Sequence, residues 1–143
     1  MSDHNVPPID GILETAVYVD DLEAAHDFYG GVLGFKAMTN GPRLRAYDVA
    51  PSQVLLVFKR GDTSEDVPTS GGVIPGHHGE GNAHFAFSIA REQCEPWRTY
   101  LESKGVAITG EVNWPKGGVS LYFCDPDGNV LELASAPLWP NYM

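Results

Sequence analysis

The chain repeats itself. Sliding it by 70 residues puts Glu14 on His84, and strand, helix and terminating glycine then fall in step to within a residue or so. Sliding it by 76 puts RAYDVAPSQVLLV on LYFCDPDGNVLEL, turn on turn and QVLLV on NVLEL. The offsets differ because the second half carries a longer insert between its helix and its last hairpin. One half has a sheet face with nothing to cover it, so two halves are needed to enclose a core. At 143 residues the chain suffices for one core and not for two independent domains. The expected fold is α+β: two βαβββ modules forming a cupped or barrel-like mixed sheet with helices outside, closed around a single small-molecule site. The N-terminal module spans about 8–60, a loop 61–81, and the C-terminal module about 82–136.

Residue patterns place the elements. ILETAVYV (12–19) alternates as a strand, and Asp20 or Asp21 caps a helix through LEAAHDFYGGVLG whose apolar face is Leu22, Ala25, Phe28, Tyr29 and Leu33. Gly34 stops it. Strands follow at 35–39, 43–49 and 53–59, then a segment rich in Gly, Pro, Ser, Asp and His that reads as a long loop. The second module has a strand at 82–89, a helix at 91–104 stopped by Gly105, an extended stretch at 106–109, and strands at 120–124 and 129–135. DPDG between the last two is a turn former. The tail APLWPNYM wraps the surface. His26 and Trp97, on helices, read as packing or surface positions.

Composition narrows the partners. Nine Lys and Arg against nineteen Asp and Glu give a net charge of −10, the wrong sign for a phosphate backbone or an anionic membrane. The opening MSDHNVPPIDG has neither a basic nor an apolar leader region, and no apolar run reaches membrane-span length. Cys94 and Cys124 lack metal-type or redox-type spacing and read as reduced thiols. A cytoplasmic protein is expected.

Side chains alternate along a strand, so each strand offers one face to the interior. Glu14, His84 and Glu132 each stand inside an otherwise apolar or small strand, with Ala16, Val54, Leu56, Phe58, Ala86 and Ser88 as interior neighbours. The repeat superposes Glu14 on His84 and Leu56 on Glu132, so closing the two-fold repeat brings these four positions together. A carboxylate inside a buried strand is costly unless it is paired or bound to a cation. One imidazole and two carboxylates suit Mn²⁺, Fe²⁺, Zn²⁺ or Ni²⁺ with positions left open. The alternative is that both glutamates face solvent and His84 is a satisfied core histidine.

In ILETAVYVDDLEAAHDFYGGVLGF, HFAFSI and SLYFCDPDGNVLELAS the chain resembles the vicinal oxygen chelate superfamily: glyoxalase I, fosfomycin resistance proteins, extradiol dioxygenases, methylmalonyl-CoA epimerase and bleomycin resistance proteins. The resemblance implies that Glu14, His84 and Glu132 are metal ligands, and that Glu14 and Glu132 are the catalytic carboxylates. Two departures stand out. The first ligand is often His or Gln where this chain has Glu14, and the fourth position, acidic in glyoxalase I, is Leu56. The pattern fits members with three protein ligands, in which substrate fills the remaining positions. Tyr122, of the same parity as Glu132, resembles a pocket tyrosine of fosfomycin resistance proteins. With Leu56, Phe58, His78 and Trp114 it makes the expected substrate-binding set. His77 and His78 lie in the Gly-rich loop before the His84 strand, where a flexible histidine serves as acid, base or lid, or is simply solvated.

Two functions follow. The first is a metal-dependent isomerase, lyase, dioxygenase or thiol transferase acting on a small substrate chelated through vicinal oxygens. The second is a non-catalytic drug-binding protein of the bleomycin-resistance type, which lacks the ligands. The resemblance also implies a homodimer. The N-terminal module of one chain then pairs with the C-terminal module of its twin, although pairing within one chain satisfies the same sheets.

Overall fold

The structure, a computed structural model, describes residues 6–143. Residues 1–5 of the opening segment, read above as having no leader character, lie outside the described residues. The first module comprises β1 (Glu14–Val19), α1 (Leu22–His26), β2 (Lys36–Ala37), β3 (Leu44–Ala50) and β4 (Gln53–Lys59). A hairpin of β5 (Val67–Thr69) and β6 (Gly72–Ile74) follows. The second module comprises β7 (His84–Ser88), α2 (Cys94–Ser103), β8 (Gly110–Asn113), β9 (Val119–Cys124) and β10 (Val130–Ala134). The sheets run β1-β4-β3-β2 and β7-β10-β9-β8, the same order under the repeat. In each, the outer pair is parallel and the rest antiparallel. This is the expected α+β class with mixed sheets and two βαβββ modules. The register agrees with both offsets at once: Glu14 pairs with Val54 and His84 pairs with Val130.

Asp21 is the helix cap, its carboxylate accepting from the amides of Glu23 and Ala24. After His26 the helix widens into π-type turns over Asp27–Val32, and the Leu33 amide reaches back to the Phe28 carbonyl. The cause is packing. The His26 ring lies on Gly30, where a Cβ would stand 2.6 Å from its Cε1, while its Nδ1 contacts the Tyr47 hydroxyl at 2.9 Å. Gly34, at φ +75, ends the helix as expected.

The strands of the core cluster contribute Val17, Val19, Tyr47, Leu55, Val57, Leu121, Phe123, Leu131 and Leu133, all odd-numbered. These faces carry the helices and join the modules. Phe28 packs on Phe123 and Phe35 on Phe87. The DPDG turn adds a polar clamp. Buried Asp125 accepts from the Tyr29 hydroxyl, the Asn129 side-chain amide, and the backbone amides of Asp127 and Asn129. Asp127 in turn accepts from the Asp20 amide. The even-numbered strand faces, which bear Glu14, His84 and Glu132, give nothing to the shared core.

Three expectations need correction. The extended stretch expected at 106–109 carries no strand, and β8 begins beyond it, at Gly110–Asn113. The segment 61–81 is not all loop, since it holds the β5–β6 hairpin. The helix expected from 91 opens with a 3₁₀ turn, Arg91–Gln93, and is α-helical only from Cys94. Among the described residues no helix is long and apolar enough to cross a membrane.

Candidate functional site

His84 and Glu132 come together on the even face of the second sheet. β10 lies between β7 and β9, and its register sets Glu132 between Ala86 and Tyr122. The Nδ1 of His84 lies 2.9 Å from the Val130 carbonyl oxygen. A carbonyl only accepts, so Nδ1 donates to it and Nε2 is left to face the cavity. That Nε2 is 3.3 Å from Oε1 of Glu132. At that distance a proton or a cation held between the two atoms satisfies both. The half-exposed ring leaves room for one, while Glu132 itself is 6% exposed.

The other oxygen of Glu132 is spoken for. Ser120, fully buried, donates its hydroxyl to Oε2 and accepts from the Trp114 indole N–H at 2.8 Å. This outer chain holds the carboxylate so that Oε1 faces His84. Tyr122 stacks on His84 with ring centroids 6.2 Å apart. Burial, and next the charge of Glu132, raise the phenol above its ordinary range, so it stays a proton donor. His84, Glu132, Tyr122 and Trp114 line one cavity of about 360 Å³ together with Leu138 and Trp139 from the tail.

Glu14 stands on the first sheet, exposed, with Leu56 and Phe58 on the same face. Among the described residues of one chain, no three His, Cys, Asp or Glu side chains gather closely enough to hold a metal. His78 contacts Glu80 and Ser64 on the exposed loop. Its neighbour His77 is the histidine that packs inward: it contacts the Tyr18 hydroxyl at 2.6 Å and meets the Phe58 ring edge-on. Of the expected set, the structure therefore brings together His84, Glu132, Tyr122 and Trp114, and leaves Glu14, Leu56, Phe58 and His78 apart from them. Ser120, Leu138 and Trp139 were missed. Ser120 shares the parity of Tyr122, a signal too weak on its own to single out a serine, and the tail carries no periodic signal.

The model of the glyoxalase/bleomycin resistance protein/dioxygenase superfamily matches residues 11–133, nearly the whole of both modules. The chain belongs to this superfamily. Within it, the chain is similar to a solved lactoylglutathione lyase from Agrobacterium tumefaciens. The two are 32% identical, the match covers 94% of this chain and 99% of that one, and the TM-score is 0.85. It is 25% identical over 121 residues to the metallothiol transferase FosB of Lysinibacillus sphaericus, covering 84% of this chain and 78% of that protein. A shorter match, 45% identical over 53 residues, is to the glutathione transferase FosA of Serratia marcescens and spans only about a third of either chain. The superfamily thus supplies enzymes among the relatives. The His84–Glu132 pair sits on the parallel β7–β10 pair, whose repeat counterpart β1–β4 bears Glu14 and Leu56.

Proposed function

We propose that the chain is a divalent-metal-dependent enzyme acting on a small substrate that offers two adjacent oxygens. The carrying observation is Nε2 of His84 held 3.3 Å from Oε1 of Glu132, with both groups locked from behind by Val130 and Ser120. Both are oriented as ligands are, and each has its outer partner. Glu14 is the third ligand, because the repeat puts it where His84 stands. Leu56 holds the fourth equivalent position and offers no ligand, which leaves coordination sites for substrate oxygens.

The odd faces of both sheets are spent on the core of one chain, so Glu14 reaches His84 and Glu132 from a second copy. The functional unit is a homodimer whose site is shared. A bound Mn²⁺, Fe²⁺, Zn²⁺ or Ni²⁺ would supply Lewis acidity toward charge developing on the chelated oxygens. Within that frame Tyr122 donates a hydrogen bond, and Glu14 and Glu132 accept or return a proton at the substrate. Thiol transfer, as in the FosA and FosB relatives, and lyase or isomerase chemistry, as in the lactoylglutathione lyase, are the reaction types favoured.

The test is metal titration of protein purified without chelator. His84→Ala should lower affinity at least about tenfold, since even an outer-shell partner is worth 10–100-fold. Stoichiometric metal at unchanged affinity in His84→Ala would overturn the reading.

A further inference from the structure

We infer that the non-chelating part of the substrate is an uncharged, apolar, ring-sized group stacked against Trp114 and Trp139. The segment after β10 is then a specificity wall. The inference deepens the metal-site reading above and rests on it.

The tail is built to stand where it does. Past β10 the chain makes a tight turn: the Leu138 amide donates to the Tyr142 carbonyl at 3.0 Å, and the Tyr142 amide to the Trp139 carbonyl at 2.8 Å. The Tyr142 hydroxyl pins this turn to the Ala134 carbonyl at the end of β10. The turn sets Leu138 and Trp139 in the wall of the cavity that contains His84 and Glu132. Trp139 nevertheless stays 65% exposed. In the single chain, an indole fixed by its backbone yet left mostly uncovered keeps apolar area that a flat ligand in the shared site would bury.

Trp114 adds apolar ring area to the same lining. The single donor of Trp114 is committed to Ser120, so this side chain has no hydrogen bond to give a ligand. The cavity also lacks a counter-charge for an anion, because no Lys or Arg lines it. Four arginines are paired away from it: Arg45 with Glu23, Arg60 with Asp20, Arg98 with Glu95 and Glu111, and Arg91 with the Gly117 carbonyl. On the even face of the first sheet the strand residue Lys36 lies across from Asp48, on the edge strand farthest from Glu14. A carboxylate or phosphonate on the substrate body would leave water for a lining with no cationic side chain, the charge of a bound metal being already matched by Glu14 and Glu132. A neutral ring meets two indoles and Leu138.

Hydroxamates separate the wall from the metal, because one chelating group can carry different bodies. Zinc-loaded full-length protein would be titrated calorimetrically with benzohydroxamate, acetohydroxamate and succinohydroxamate. The ring compound should bind about tenfold more tightly than the methyl compound, the size of one good stacking contact, and the carboxylate compound should bind most weakly. Trp139→Ala should remove most of that preference while zinc affinity, titrated separately, is unchanged. Trp114→Phe, which keeps a ring and drops the N–H, should retain more of it than Trp114→Ala. Benzamide, a ring without a chelating pair, probes the wall with no metal present. It should quench indole fluorescence in metal-free protein, and the quench should disappear in Trp139→Ala. Zinc that fails to bind, with benzamide still quenching, sinks the metal reading and leaves the wall. Zinc that binds with no ring preference, or with the carboxylate compound favoured, overturns the wall alone.

Discussion

Ser120 is the residue on which the second sheet's half of the site depends. Its hydroxyl is fully buried and bonded on both sides, to the Trp114 indole and to Glu132. Ser120→Ala strands a half-buried donor and a buried carboxylate oxygen together. Denaturant unfolding should read a loss of about 1–3 kcal/mol, and metal affinity should fall about 10-fold or more as Glu132 loses its orientation. Unchanged metal affinity with normal folding would show that Ser120 does not position the carboxylate. Parity along the strands made His84, Glu132 and Tyr122 legible as neighbours from sequence alone. It made Ser120 legible only in retrospect, because a serine in a strand usually signals nothing. Trp139 was illegible: its place over the cavity follows from a turn with no apolar period, closed by the Tyr142 contact to Ala134.

At the scale of elements, the His26–Gly30 contact makes a direct claim about why α1 widens. Gly30→Ala would put a methyl 2.6 Å from the His26 ring and push that ring off Tyr47. An overpacking cost of about 1–3 kcal/mol is expected in thermal or chemical unfolding. His26→Ala combined with Gly30→Ala should recover part of it, which a pure helix-propensity effect would not do. The same elements mark the limits of sequence reading. The helix stops at Gly34 and Gly105 were visible because a left-handed φ demands glycine there. β8, just past the extended stretch at 106–109, was not legible because GEVN has one apolar residue and no alternation to read. The β5–β6 hairpin was hidden because Pro68 argues against a strand, though an isolated two-stranded ribbon tolerates proline at its edge.

For the molecule as a whole, one polar clamp and one apolar core join the modules, and both leave a signature in stability. Tyr29 is buried against Asp125; burial, then the charge and hydrogen bond of that carboxylate, hold its phenol far above the ordinary 10.0. Burial also raises Tyr47. A raised folded-state pKa means that the native chain keeps its proton when the unfolded chain releases it. This stabilisation is whole below pH 10 and shrinks as pH rises beyond it, by about 1.4 kcal/mol per pH unit for one such group. Unfolding at pH 8, 10 and 11 should show the decline, and Tyr29→Phe should flatten it while losing about 1 kcal/mol at pH 8 with its hydrogen bond to Asp125. Stability that is level to pH 11 would contradict the clamp.

The central claim is that Glu14 of one chain completes the His84–Glu132 site of another. It rests on the separation of faces: odd-numbered strand residues fill the core of a single chain, and the ligands lie on the even faces. Metal content of a purified heterodimer of Glu14→Ala and His84→Ala chains tests it most directly. One of its two sites then carries both lesions and the other carries none. The account predicts about half the wild-type loading in the heterodimer and little in either variant alone. A verified heterodimer that binds no more metal than those two homodimers would contradict it.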